Sequence, residues 1–365
     1  MERERDLALF AFGSLVFFLT WWATGRLCTP GSRLSLLDYP NARSLHEVPT
    51  PRTGGLAIVG SVTFVVVLAA LCEVPAKEWW LGGGSTLSTP GPWIQGMTLL
   101  LALVSFWDDR GGLPVTLRLG IQLVAVVALV SVTGMTLSSI DLPSVGAVRL
   151  GIAAVPVTVL FVLWMTNLYN FMDGMDGFAG GMTVIGFGAI AYFAWKGQHA
   201  FIFTLSLVIS MGAAGFLLYN LPPARIFMGD VGSIPLGFLS GALIVLGVHD
   251  GVFDIWIPLL VFSPFVLDAT VTVLRRVFRG ERIWEAHRTH YYQRLVLYGW
   301  GHRKTLGVEY ALMVLCVVAA LLYQSMTDTG RVALLAIWLL GFAGLAVGVG
   351  LMERRAMRPG CTNEG

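Results

Sequence analysis

The sequence predicts an all-α fold, a polytopic helical bundle embedded in a membrane with about eleven transmembrane helices forming a single membrane domain over residues 1–365. Three observations carry this. Of 365 residues, 56% are hydrophobic and only 13% charged, with a mean hydropathy of +0.74, which leaves too little polar surface to coat a soluble globule of this size. The apolar residues fall into runs of roughly 16–23 separated by short polar loops, and about 20 residues let a helix cross the hydrocarbon core. Runs such as Ala191–Tyr219 and Gly307–Tyr323 are almost continuously apolar, whereas barrel strands would alternate in ten-residue segments.

The spans follow in order. The first, 7–25, is a retained span, because Thr24-Gly-Arg-Leu27 ahead of Cys28 offers no small-residue cleavage site. The second, 55–74, starts at Gly54-Gly55, and the third and shortest, 92–107, runs into Asp108-Asp109. Length and apolarity then place spans at 115–135, 152–170, 178–195, 199–219, 232–249, 252–274, 308–325 and 331–352. Cys28, Cys72, Cys316 and Cys361 stand singly, with neither a metal-binding spacing nor a disulfide framework.

A net charge of +2 says little, but its distribution gives orientation. Alternating the spans puts 18 of the 24 basic residues on one side, among them Arg52, Arg110, Arg118, the run from Arg275 to Lys304, and the tail Arg354, Arg355 and Arg358. The other side keeps Arg3, Arg5, Lys77, Arg149, Lys196 and Arg331. The positive-inside bias makes the first side cytoplasmic, with the amino terminus outside and the carboxyl terminus inside. The predicted cytoplasmic loops are 26–54, 107–115, 167–177, 220–231 and 275–307.

That topology sends every acidic and amide cluster to the cytoplasmic side: Asp108-Asp109, the segment Asn167-Leu-Tyr-Asn170-Phe-Met-Asp173-Gly-Met-Asp176, Asn220, Phe227-Met-Gly-Asp230, and Asp268 near the inner end of the ninth span. Glu73, Glu78, Asp141, Asp250 and Asp328, outside, show no motif spacing. Carboxylates at the ends of membrane helices need a cation or water. Oxygen ligands without paired Cys or His suit Mg²⁺ or Mn²⁺, which keep several waters and share coordination with substrate phosphates, and disfavour zinc. Singly, each cluster also has a structural reading. Asp108-Asp109 beside Arg110-Gly-Gly112 fits an interfacial turn, and Asp173, Asp176 and Gly-Asp230-Val-Gly-Ser233 fit helix starts. Their joint occurrence on one face favours a metal site.

The loop from Arg275 to Lys304, with His287-Arg288-Thr289-His290 at its middle, supplies the opposite charge. It suits topology, anionic lipid and phosphate oxygens alike. A basic loop facing an acidic metal site is expected if a phosphorylated substrate lies between them. No nucleic-acid recognition fold is present. The stretch from Asp38 to Gly55, with Thr50-Pro-Arg52-Thr-Gly-Gly55 at its end, reads as an ordered loop because its prolines forbid a continuous helix.

Together these motifs resemble the polyprenyl-phosphate N-acetylhexosamine-1-phosphate transferases, glycosyltransferase family 4, over roughly Asp38 to Arg294. The resemblance implies attack by a lipid phosphate on the β-phosphorus of a UDP-sugar, release of UMP, a requirement for Mg²⁺, a bacterial inner-membrane location and a homodimer. It implies that Asp230 is the direct metal ligand, that Asp108 and Asp109 orient the metal and the polyprenyl phosphate, one of them acting as base if a base is needed, and that Asp173 belongs to the catalytic set. It places Asn170, Asp176, Asn220 and Phe227 around the nucleotide, with Asp176 accepting from uracil and Phe227 stacking, puts His287, Arg288 and His290 near the diphosphate and sugar, with both histidines in the catalytic set, and counts Thr50 and Arg52 among the substrate-binding residues.

The motif His287-Arg-Thr-His290 and the pair Arg52-Thr53 depart from the phospho-N-acetylmuramoyl-pentapeptide transferase, which has three consecutive histidines and Thr-Met there. The branch initiating O-antigen and common antigen is the closer likeness, with the pentapeptide enzyme as the alternative. His46 stands where the family often has lysine. An ion-coupled transporter or flippase would carry its acids near the midplane on broken helices, often with internal repeats. Here the acids sit at span ends and no repeat is visible. The full set of acids also argues against an inactive scaffold.

Overall fold

The computed structural model describes residues 2–29, 34–40, 44–71, 80, 88–282 and 287–356, with side chains from residue 9 to residue 354. Expectations resting on Arg3, Arg5, Arg33, Arg43, Cys72, Glu73, Lys77, Glu78, Arg355, Arg358 and Cys361, and on the end of the second span, lie outside these bounds.

Each expected span is occupied by helix. The helices are α1 (Glu2–Leu27), α2 (Gly54–Leu71), α3 (Pro90–Gly111), α4 (Val115–Thr133), α5 (Ala154–Phe171), α6 (Phe178–Lys196), α7 (Ala200–Asn220), α8 (Asp230–His249), α9 (Trp256–Val261), α10 (Ser263–Phe278), α11 (Tyr291–Leu295), α12 (Gly301–Ser325) and α13 (Asp328–Ala356). Eight described helical segments are long and apolar enough to cross a membrane. The protein is a multi-pass membrane protein. The expected ninth span, 252–274, is two helices: α9 ends at Val261, Phe262 lies between, and α10 restarts with Pro264 in its first turn, because proline at that position forfeits the hydrogen bond that would continue the helix. The run stays largely apolar across the break, whose residues are buried, which hid it from hydropathy.

The buried axis is α8, 94% of whose apolar window lies inside the protein. It packs on α5, α3 and α2. Lipid supplies no hydrophobic drive for helix association, so small residues that let backbones approach set the contacts. A Cβ on Gly237 would fall 2.6 Å from the Met165 carbonyl oxygen, which is how closely α8 and α5 run. Hydroxyls inside the bundle bond back to their own helices, as Thr158 does to Ala154 O and Thr166 to Val162 O, both at 2.7 Å, so few buried donors face lipid. Two small antiparallel pairs lie outside the bundle: Leu37–Asp38 with Thr50–Pro51, and Ser139–Leu142 with Gly146–Arg149. The first orders the loop before α2, as expected of it.

Candidate active site

The carboxylates gather where α3 ends and α4, α5 and α8 begin or finish. Asp108 and Asp109 occupy the last turn of α3, past its apolar stretch, where the Gly112 amide closes onto Asp108 O at 2.8 Å. Asp108 then accepts from the Leu113 amide through Oδ1 and from Arg118 Nη1 through Oδ2, both at 2.6 Å. The same Arg118 nitrogen donates to Asp230 Oδ2 at 3.1 Å. Asp230 starts α8, and its other oxygen accepts from Asn170 Nδ2 at 2.8 Å, a pairing made by the close run of α5 against α8.

Asp109 lies beside Arg52, with Nε 3.6 Å from Oδ1, and accepts from the Val231 amide at 3.4 Å. Burial, with the negative charge of Asp230 added to it, pushes the Asp109 carboxyl up to about 7. Asp173 accepts from the Gly229 amide at 3.1 Å, and burial followed by the charge of Asp230 holds it well above the usual carboxylate range. Like charges crowded in a partly dry site favour protonation or a cation.

These acids open into a polar cavity of about 600 Å³, lined among others by Arg52, Asp109, Asn170, Asp173, Asp176, Asn220, Phe227 and Asp230. Its walls are tied together by backbone. The Gly54 and Gly55 amides donate to Phe227 O and Met228 O at 2.9 and 2.8 Å, and the Phe227 amide donates to Pro51 O at 2.7 Å. This docks the Thr50–Gly55 segment beside the α8 start. Gly229 adopts φ 73°, and a Cβ there would sit 2.0 Å from Arg52 O, so only glycine fits this turn. Asn220 is spent on the fold: it accepts from the Gly177 amide at 3.0 Å and donates to Ile226 O at 2.8 Å. Asp176 accepts from the Ala224 amide at 3.0 Å, and its other oxygen lies 3.3 Å from His302 Nδ1. The Phe227 ring packs against His46, centroids 4.9 Å apart.

A second cavity of about 520 Å³ opens sideways between α4 and α5. Its outer wall is apolar, with Leu160 65% and Leu119 40% exposed on the flank of the bundle. Its inner end is polar: Arg118, Gln122, Asn167, Asn170, His287, His290 and Gln293. Asn170 and Gln293 line both cavities. His290 is buried, its Nδ1 3.1 Å from Asp268 Oδ1. Asp268 also accepts from the Tyr291 and Tyr292 amides at 3.0 and 3.1 Å, capping α11. With Nδ1 engaged, Nε2 is the ring nitrogen left to a ligand. His287 lies 4.8 Å from His290 between centroids, and burial and then His290 lower it to about 4.

Eleven of the thirteen expected site residues thus meet at one end of the bundle, ten of them lining one or both cavities and Asp108 held behind Arg118. Thr50 and Arg288 line neither cavity; Thr50 is buried and donates to Val48 O at 2.9 Å. Sequence reading did not single out Arg118, Gln293 or His302 as site residues. Arg118 lies within three residues of a helix start just after the acid pair, and that spacing was its available signal. Among the described residues no group of three or more His, Cys, Asp or Glu side chains is preassembled as a metal cage. The donor set still fits Mg²⁺, which commonly takes one or two protein carboxylates and fills its shell with water and phosphate oxygens.

Fold and site define a multi-pass membrane protein whose carboxylate cluster lies between a polar cavity and an apolar-walled groove. Residues 93–248 match glycosyl transferase family 4. The chain is 33% identical over 298 residues to a probable undecaprenyl-phosphate N-acetylglucosaminyl 1-phosphate transferase of Bacillus subtilis, covering 81% of this chain and 79% of that one. It is 29% identical over 402 residues to the decaprenyl-phosphate N-acetylglucosaminephosphotransferase of Mycobacterium leprae, covering 97% and 98%. A phospho-N-acetylmuramoyl-pentapeptide-transferase of Enterococcus faecalis is 32% identical over 182 residues, covering 49% of this chain and 54% of that one. The chain belongs to glycosyl transferase family 4, the polyprenyl-phosphate hexosamine-1-phosphate transferases.

Proposed function

We propose that this protein transfers N-acetylhexosamine 1-phosphate from a UDP-sugar to polyprenyl phosphate, at the cytoplasmic face of a bacterial inner membrane, as the first step of O-antigen or another cell-envelope glycan. The observation that carries this reading is the meeting of two cavities of unlike chemistry at Asn170 and Gln293, beside Asp230 and Arg118. A polar cavity of about 600 Å³ suits a nucleotide sugar, and an apolar-walled groove open on the bundle flank suits a lipid phosphate. A lipid phosphate oxygen bonds to the β-phosphorus while the bond from that phosphorus to the bridging oxygen breaks. UMP leaves into the polar cavity and the pyrophosphoryl sugar stays on the lipid.

Charge develops on phosphoryl oxygens in such a step, so positioning and electrostatics carry most of the catalysis. Asp230, with Asp108 and Asp109, would hold Mg²⁺, which when bound supplies neutralising charge to the phosphates. Asp176, held by the Ala224 amide and His302, would accept from the uracil N–H, and Phe227 would offer its ring to the base. Arg52, His287 and His290 supply donors around the diphosphate and lipid phosphate. The positive-inside asymmetry and the gathering of the acids at one end support the cytoplasmic placement.

Purified protein given undecaprenyl phosphate, Mg²⁺ and a panel of UDP-N-acetylhexosamines, including 6-deoxy relatives, is expected to release UMP with one of them. Asp230→Asn is expected to abolish release while the folded protein is retained. Full turnover in EDTA would overturn the metal assignment, and absence of UMP with every donor would overturn the reaction.

A further inference from the structure

The cation that bridges the acids in this structure is a side chain. Arg118 Nη1 lies 2.6 Å from Asp108 Oδ2 and 3.1 Å from Asp230 Oδ2, so one guanidinium nitrogen joins two carboxylates that the proposed function assigns to the metal. Arg118 also lines the lateral groove with His287 and His290. We infer that Arg118 is a built-in counter-ion for the Asp108–Asp230 pair, displaced when a divalent cation binds, and that its guanidinium then receives the phosphate of the lipid substrate in the groove. This inference rests on the function proposed above.

Three features support it. A divalent ion within coordination distance of these oxygens, about 2.1 Å for Mg²⁺, would lie too near Nη1 for both cations to keep their places. Both carboxylates stay oriented without Arg118, because Asp108 Oδ1 keeps the Leu113 amide and Asp230 Oδ1 keeps Asn170. Arg118 is also in the first turn of the 19-residue helix α4, where the helix dipole disfavours a cation and favours an anion. Released from its acids, it sits where a phosphate would be held by the guanidinium and by the helix start together. Metal and lipid phosphate should therefore strengthen each other's binding, a coupling that must be reciprocal.

The test measures Mn²⁺ binding to the purified full chain by electron paramagnetic resonance, with and without a short-chain polyprenyl phosphate, for the wild type, Arg118→Met, Arg118→Gln and Arg118→Lys. In the wild type the lipid phosphate is expected to tighten Mn²⁺ binding on the order of tenfold. Arg118→Met is expected to bind Mn²⁺ on the order of tenfold more tightly than the wild type without lipid, and to show no further gain when lipid is added. Arg118→Gln serves the same purpose if the Met variant does not fold. Arg118→Lys, which keeps the charge, is expected to keep the weaker lipid-free affinity. Unchanged or weaker Mn²⁺ binding in both neutral variants, or full coupling to lipid in them, would overturn the inference and leave the proposed reaction standing. No Mn²⁺ binding by the wild type under any condition would overturn the metal reading and the inference with it.

Discussion

Gly55→Ala should disable the site from a position that touches no acid. Gly55 opens α2 and lies against Gly232, two residues after Asp230. A Cβ there would fall 2.2 Å from Gly232 Cα and 2.3 Å from its nitrogen. Ordinary van der Waals contact begins near 3.4 Å, so the two backbones must part by about 1 Å, with no flexible side chain to yield in their stead. Overpacking of this kind costs about 1–3 kcal/mol. The displacement falls on the segment that carries Asp230 and on the Gly55 to Met228 hydrogen bond of 2.8 Å. A misplacement near 1 Å is enough for about a hundredfold loss of rate. Gly60→Ala, on the same helix with nothing within 4 Å of the added carbon, is the control, and should gain up to about 1 kcal/mol from helix propensity. Initial rates of UMP release and thermal unfolding in one detergent would be compared for the three proteins. A Gly55→Ala enzyme within threefold of wild-type rate, or no less stable than Gly60→Ala, would refute the claim that this backbone contact sets the position of Asp230.

Three further outcomes follow from the same geometry. Asn220→Ala strands the buried Gly177 amide and Ile226 carbonyl, at about 1–3 kcal/mol each; thermal unfolding should show it, and the KM for the nucleotide sugar should rise more than kcat falls. Asp268→Ala should lower kcat although Asp268 lines neither catalytic cavity, because His290 and the α11 start lose their acceptor; Asp268→Asn, which keeps one oxygen, should recover part of the rate in the UMP assay. His287 is lowered to about 4 in the fold from an ordinary 6.5, so between those values the unfolded chain binds more protons. Stability that is full above pH 6.5 is therefore lost as the pH falls toward 4, and thermal unfolding of His287→Asn should show a smaller drop between pH 7 and 4.5 than the wild type.

The spans were legible because the bilayer demands long apolar runs of nearly fixed length, and each long apolar run is met by helix, the ninth by α9 and α10 together. The break between α9 and α10 was not, since hydropathy sees only apolarity and Phe262, Ser263 and Pro264 continue the run. Asp108, Asp109 and Asp230 stood out because an acid at a membrane helix end is costly without a partner. Which partner each acid takes could not be read. Arg118 and Asp230 are 112 positions apart, and the approach of α4 to α8 that joins them depends on packing against α3 and α5. Asn220 was legible as a polar residue of the site but not as a clamp between two loops, because the same amide chemistry serves a base or a backbone. His302 lay beyond the motif order altogether, and only the return of α12 beside Asp176 brings it in.

The two cavities that touch at Asn170 and Gln293 open to different surroundings, one among polar loops and one along an apolar flank. Traffic through them is consequently partitioned by solubility. A compound confined to water samples the loop-side chamber at its bulk concentration, whereas a lipid samples the flank at its concentration in the bilayer plane, so the occupancies of the two chambers can be varied independently. A single ligand spanning both would have to be an amphiphile of matching length, polar where it meets Asp173 and Asp176 and apolar where it lies along Leu119 and Leu160. Its apparent potency would then vary with the amount of membrane in the assay, and a purely polar or purely apolar half of the same molecule would escape that dependence or follow it completely.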